Sequence, residues 1–235
     1  MKVDVLELSE WETPASKFEV AQKGDYRIGK HVFKPGWYVY HGMDGYALFV
    51  ARKPLPSTTL LQRKPNRPSW REWMVDSPTD YRAMQKYAEK AYGNVLTTGL
   101  GLGLLTCELC KNDKVSSITV VEISPCVIDL ISGYLPDDPR IHITCNDFWH
   151  FVEEDNDRWD TIIADIWVYW GIDEQVKKYK QEIVPANEKL RAKYPDAQIF
   201  FHGFAGMPTV EQVDAALENG GAIDVDSLIY GLGVA

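Results

Sequence analysis

Between Asn94 and Ser124 an apolar strand (Val95, Leu96) runs into three alternate glycines, Gly99, Gly101 and Gly103. A helix-forming segment follows, then a second apolar strand, Ile118 to Val121, ending on Glu122. Glycines let the backbone approach a ligand where a Cβ would clash, and a helix start offers unpaired N–H groups. An acid at the tip of the next strand accepts both hydroxyls of a ribose. The segment therefore reads as a nucleoside-cofactor site. The plainer alternative is a sheet that needs a tight turn and happens to carry a surface acid.

The glycine spacing narrows the cofactor. A dinucleotide fingerprint places its third glycine three positions after the second, where this chain has Leu104. A phosphate-cradling loop needs Gly-Lys-Ser/Thr after its glycines, and Leu104–Leu105–Thr106 is not that. No basic residue stands between Thr97 and Glu108 to meet a pyrophosphate. A cofactor with ribose and base but no phosphate fits, and S-adenosylmethionine is the expected one.

Two later segments extend the pattern. Ile141 to Cys145 reads as a third strand, followed by Asn146–Asp147–Phe148, and Trp159 to Ile166 as a fourth, with Asp165 near its end. With Ala197 to His202 as a fifth strand and helices between, the alternation predicts a parallel sheet. From residue 94 to 204 the chain resembles the class I S-adenosylmethionine-dependent methyltransferases, and within them the branch that includes spermidine synthases. The resemblance implies an α/β, Rossmann-like fold with a mostly parallel sheet. It also implies that Gly99, Gly101 and Gly103 pass under the methionine and ribose, that Glu122 takes the ribose hydroxyls and that Ile123 lies against the adenine. Asp147 would accept from the adenine amino group, with Phe148 beside the ring, and Asp165 would face the reacting groups.

Ahead of this part, Tyr26 to Phe33, Trp37 to His41 and Tyr46 to Ala51 are short aromatic or β-branched runs separated by good turn sequences. They predict an antiparallel meander, with Pro54, Pro56, Pro65 and Pro68 marking a linker. The expected division is a small β-rich segment over 1–68, a substrate lid or dimer contact, and a cofactor-binding domain over 69–235. A helix from Thr79 to Tyr92 opens that domain, and a long polar helix from Asp173 to Lys193 is expected to bend at Pro185. After Gly206 one helix and a weak strand remain, so an abbreviated carboxy-terminal edge is expected.

A net charge of −9, from 25 basic and 34 acidic residues, argues against a broad phosphate-binding surface and so against nucleic acid. Arg63, Lys64 and Arg67 read as a solvated loop. The first twelve residues are acidic, unlike a signal peptide, and the apolar run at 95–110 is too short and broken to span a membrane. A cytoplasmic protein is expected. Cys107 and Cys110 form a C-x-x-C without a second pair. Buried packing on a helix is the favoured reading, and no metal is assigned.

Asp147 also suits a helix N-cap, a role compatible with cofactor contact. Asp165, a carboxylate among apolar residues at a strand's carboxyl end, suits a base or an amine anchor, or a structural hydrogen bond to a loop. Trp167, Tyr169 and Trp170 either wall a substrate pocket or pack on the β-rich segment. His202 either reaches the same crevice or is structural. Methyl transfer to a small molecule or protein is the first expectation. No Asn/Asp-Pro-Pro-Tyr follows the fourth strand, and the only Pro-Cys, Pro125–Cys126, follows the second, which disfavours DNA-base acceptors. Aminopropyl transfer is the second expectation. Against it, the spermidine synthase turn carries an aspartate where this chain has Leu102, and that family's second aspartate corresponds to Val168. A protein that binds or degrades the cofactor without a methyl acceptor is the third.

Overall fold

The computed structural model describes residues 4–8, 10–42, 45–64, 69–167 and 177–202. The amino-terminal part contains β1 (Asp4–Leu8), a 3-10 turn (Pro14–Lys17), β2 (Ala21–Lys23), β3 (Tyr26–Phe33), β4 (Gly36–Gly42), β5 (Gly45–Ala51), β6 (Leu55–Arg63) and β7 (Trp70–Val75). Helix α1 (Pro78–Lys90) leads into an alternation of strand and helix. Its members are β8 (Gly93–Thr98), α2 (Leu104–Cys110), β9 (Val115–Glu122), α3 (Pro125–Ile131), β10 (Ile141–Cys145), α4 (Phe148–Glu154), β11 (Thr161–Ala164), α5 (Val184–Lys193) and β12 (Gln198–Phe201).

The alternation builds a wholly parallel five-stranded sheet in the order β10-β9-β8-β11-β12. The chain first grows from β8 towards β10, then crosses back to add β11 and β12 on the other side of β8. That reversal opens a crevice beyond the carboxyl ends of β8 and β11, where open α/β sheets bind their ligands. The strands feed cores on both faces, which is why they are near-continuous apolar runs. Val95, Ile118, Val120 and Ile163 pack with α1, α2 and α3, whereas Leu96, Val121, Ile162 and Ala164 pack with Phe148 and Val152 of α4 and Leu190 of α5.

The expected α/β fold with a β-rich segment before it is present, but the single meander is not. The hairpin β4–β5 forms a three-stranded sheet with β1, which runs parallel to β5. Strand β3 instead pairs antiparallel with β6, from Tyr26↔Gln62 to Phe33↔Leu55, in a second sheet of order β2-β3-β6-β7. Pro54 and Pro56 therefore do not mark a linker; Pro56 lies within β6. Its missing N–H is tolerated because β7 reaches only Thr59, leaving β6 one neighbour at that point. Strand β7 carries this sheet beyond residue 68. A π-helical turn, Tyr179–Ile183, sits just before Pro185 at the start of α5. A proline there leaves the i→i−4 ladder one donor short. The expected elements after Gly206 lie outside the described residues.

Cys107 and Cys110 lie in α2. Burial pushes their thiols up to about 11 and about 12, with the Asp138 charge adding to the rise at Cys110. Among the described residues no helix is long and apolar enough to cross a membrane.

One wholly buried carboxylate joins the two halves. Asp76, between β7 and α1, accepts from the Thr13 hydroxyl (2.5 Å), the Ser57 hydroxyl (2.6 Å) and the Thr58 N–H (2.7 Å). Its own carbonyl accepts from the Trp11 indole at 3.0 Å. Replacing Asp76 by Ala strands these buried donors, each costing about 1–3 kcal/mol. We expect a loss of roughly 3 kcal/mol or more in urea unfolding; a loss below about 1 kcal/mol would show that the network does not hold the halves together.

Candidate active site

The crevice at the strand reversal is a cavity of about 500 Å³. Its floor is drawn together by one bond: the Asp165 N–H, just past β11, donates to Thr98 Oγ1 at the end of β8 at 2.8 Å. On one side the glycine turn borders it, and on another strand β7 contributes Glu72, Trp73, Met74 and Val75.

All three turn glycines take left-handed backbone angles, with φ of +74° at Gly99, +52° at Gly101 and +69° at Gly103. Their neighbours differ. A Cβ on Gly101 would lie 2.5 Å from Met74 Sδ, and one on Gly103 would lie 2.7 Å from the Leu135 side chain. Gly99 and Gly101 border the cavity, whereas Gly103 is absent from its lining and serves the packing of α2. Glu122, buried at the end of β9, clamps the turn from the other side. Its Oε2 accepts from the Leu100 N–H at 2.7 Å and its Oε1 from the Ser124 N–H at 2.8 Å. Each oxygen keeps acceptor capacity beyond these bonds.

Ile123, 65% exposed, and Phe148, 4% exposed, both line the cavity. Asp147 caps α4: its Oδ1 accepts from the N–H groups of Trp149 and His150 at 2.9 and 3.1 Å. It also lines the cavity. Trp167 leans on Phe201 with ring centres 5.4 Å apart and lines the same space. His202 donates its N–H to the Ala164 carbonyl and meets the Tyr87 ring edge-on. Its Nδ1 is buried with no hydrogen-bond partner among the described residues. Tyr169 and Trp170, expected in the same pocket, lie outside the described residues.

The structure adds residues that the sequence reading left out: Asp80 from α1 and the four residues of β7. Asp80 was legible only as part of a helix start. Ser77 caps α1 by accepting the Asp80 N–H at 3.0 Å, and its hydroxyl donates back to Asp80 Oδ2. Burial pushes the Asp80 carboxyl above the ordinary carboxylate range. The Ser77 hydroxyl and His202 oppose the shift, and the charges of Asp165 and Asp76 reinforce it. The described lining thus carries five carboxylates (Glu72, Asp80, Glu122, Asp147 and Asp165) and one histidine, with neither lysine nor arginine.

Residues 82–191 match the spermine/spermidine synthase domain. A polyamine aminopropyltransferase of Hamiltonella defensa is 40% identical over 78 residues, covering 30% of this chain and 27% of that protein. One from Buchnera aphidicola is 30% identical over 103 residues, covering 41% of this chain and 34% of the relative. The chain thus spans about a third or less of these relatives' lengths. Among solved structures, Thermotoga maritima spermidine synthase aligns over 56% of both chains at 16% identity, with a TM-score of 0.33. The N-methyltransferase NodS of Bradyrhizobium japonicum aligns over 61% of this chain and 72% of its own at 14% identity, with a TM-score of 0.37.

The glycine turn meets β7, outside the matched stretch, through Met74, whose sulfur accepts from the Leu102 N–H at 3.3 Å and leaves no room for a Cβ on Gly101. Gly101→Ala is expected to cost about 1–2 kcal/mol for the left-handed angle, plus the displacement of Met74. Adding Met74→Ala should recover only the second part, so the double variant is less destabilised than the sum of the singles. Strict additivity in urea unfolding would exclude the contact as a constraint on the turn.

Proposed function

We propose that the chain transfers an alkyl group from an S-adenosyl sulfonium to an amine, with aminopropyl as the first reading of the group. The observation that carries this is the charge of the cavity: five carboxylates and no lysine or arginine among its described lining residues. Such a space favours cations and penalises phosphate or carboxylate. S-adenosylmethionine brings a carboxylate for which the described lining offers no basic partner. The decarboxylated form brings only a sulfonium and an ammonium. The names of the relatives, polyamine aminopropyltransferases, support the same choice.

One observation favours methyl transfer as the second reading. Leu102 is wholly buried, so the turn presents no anion at that position. In both readings the acceptor is a small molecule or protein amine, and the expectations for nucleic acid and for a homodimer stay as the sequence reading left them.

In this reading Glu122 directs its spare lone pairs to the ribose hydroxyls. Asp147 accepts from the adenine amino group at the rim, and Ile123 and Phe148 flank the base. Gly99 and Gly101 leave room for the sulfonium arm. When bound, the sulfonium supplies a carbon activated for displacement, with a neutral thioether as leaving group. Asp165, held at the strand reversal, accepts the proton that the acceptor ammonium must lose before its lone pair is available. The apolar and aromatic walls, Met84, Trp167 and Phe148, exclude water and hold the two reactants in line.

A calorimetric titration with both sulfonium compounds tests the reading. Decarboxylated S-adenosylmethionine is expected to bind tighter by about tenfold or more, the scale of one charge-assisted hydrogen bond. Glu122→Ala should weaken either ligand by on the order of 1.5–3 kcal/mol, and Asp165→Ala should spare binding while abolishing turnover. Tighter binding of S-adenosylmethionine itself would move the assignment to methyl transfer. Binding of neither would remove the nucleoside site.

A further inference from the structure

Most backbone donors of the glycine turn are engaged within the fold. The Gly99 N–H donates to the Val121 carbonyl at 2.9 Å, the Leu100 N–H to Glu122 Oε2 at 2.7 Å and the Gly103 N–H to the Leu100 carbonyl at 2.8 Å. The Leu102 N–H donates to Met74 Sδ of β7 at 3.3 Å. The first three acceptors are oxygens of the turn or of β9. The last is a thioether, the weakest acceptor of the set, and it comes from a strand outside the parallel sheet. Leu102 is wholly buried and absent from the cavity lining, whereas Met74 is part of that lining. The sulfur therefore stands between the cavity and a turn donor that a stronger acceptor could capture. It also fills the space above Gly101, where an added Cβ would lie 2.5 Å from it.

Resting on the proposed transfer from an S-adenosyl sulfonium, we propose that Met74 determines which sulfonium the site takes. It does so by withholding the Leu102 N–H and the space above Gly101 from a carboxylate on the sulfonium's side arm. In the proposed reading that arm runs past Gly99 and Gly101. The two candidate ligands differ only there: one arm carries an ammonium and a carboxylate, the other an ammonium alone. A carboxylate at a glycine turn needs a free N–H and room for its oxygens within hydrogen-bond distance of it. Met74 removes both at one place. An ammonium carries donors and no acceptor, so it asks nothing of Leu102. The carboxylates of the lining also disfavour an anion, but their field acts over the whole cavity. Met74 acts at one bond and adds no charge. The Leu102 side chain is apolar and wholly buried, so local rejection of a carboxylate falls to the residue that covers its N–H.

The test is a calorimetric titration of the full chain and its Met74 variants with S-adenosylmethionine, its decarboxylated form and methylthioadenosine. The last keeps the nucleoside and lacks the charged arm. Met74→Leu removes the acceptor and keeps most of the bulk, a swap that packed interiors tolerate well. Met74→Ala opens the space above Gly101 as well. The wild-type preference for the decarboxylated form is expected to narrow severalfold in Met74→Leu. In Met74→Ala it should narrow by about tenfold or more, the scale of one charge-assisted hydrogen bond. The change should come from tighter S-adenosylmethionine binding, with methylthioadenosine unaffected. The field of the lining carboxylates alone predicts an unchanged ratio, because neither variant alters a charge. An unchanged ratio in Met74→Leu, with methylthioadenosine affinity intact, overturns the selectivity role and leaves the transfer reading standing. An equal loss of affinity for every ligand in both variants also overturns it, since that marks a turn that has merely lost its shape. A wild-type chain that binds neither sulfonium overturns both readings.

Discussion

The arrangement depends on a carboxylate that faces no solvent. Asp76 gathers hydroxyl and amide donors from the 3-10 turn and from β6, and it stands at the junction where β7 becomes α1. Because those bonds fix that junction, β7 lies along the glycine turn and the first turn of α1 points its acid into the cavity. Each donor bond to a buried charge is strong, and each is expensive to leave unmade. Secondary contacts reinforce the joint. Tyr81 of α1 meets the Trp11 ring edge-on, and Phe18 stacks on Tyr134 with ring centres 4.3 Å apart.

The parallel sheet was legible because its signals are local. The apolar runs, the glycine turn and the strand-end acids each sit within one strand–helix unit, and the unit admits few packings. Glu122, Asp147 and Asp165 border one cavity for that reason. The amino-terminal part was not legible in the same way. Whether β3 pairs with β4 or with β6 is decided by side-chain patterns across distant strands, and the prolines around residue 56 look like punctuation until the neighbour count is known. Strand β7 has no turn signal of its own. Asp80 follows Ser77 at capping distance, so its local role hides its second one.

The glycines show the limit of a motif most clearly. Gly99, Gly101 and Gly103 read as one fingerprint, yet they solve separate problems. One lies under the Asp165 carbonyl, one under Met74 and one against Leu135. Two of them border the cavity, and the third exists for helix packing. A left-handed angle at all three gives the turn its shape, but the reason for that shape comes from different parts of the fold.

The closeness of Met74 to Gly101 also bears on where this domain begins. The stretch that matches the spermine/spermidine synthase domain starts at residue 82, after β7 and after Asp80. A fragment cut at that point would retain every strand of the parallel sheet and most of the recognisable motif. It would lose one wall of the cavity, the sulfur that shapes the turn and an acid that gives the space its sign. The stretch that matches the family is shorter than the set of residues that line the cavity. Fragments and fusions of this domain should therefore carry the antiparallel sheet with them.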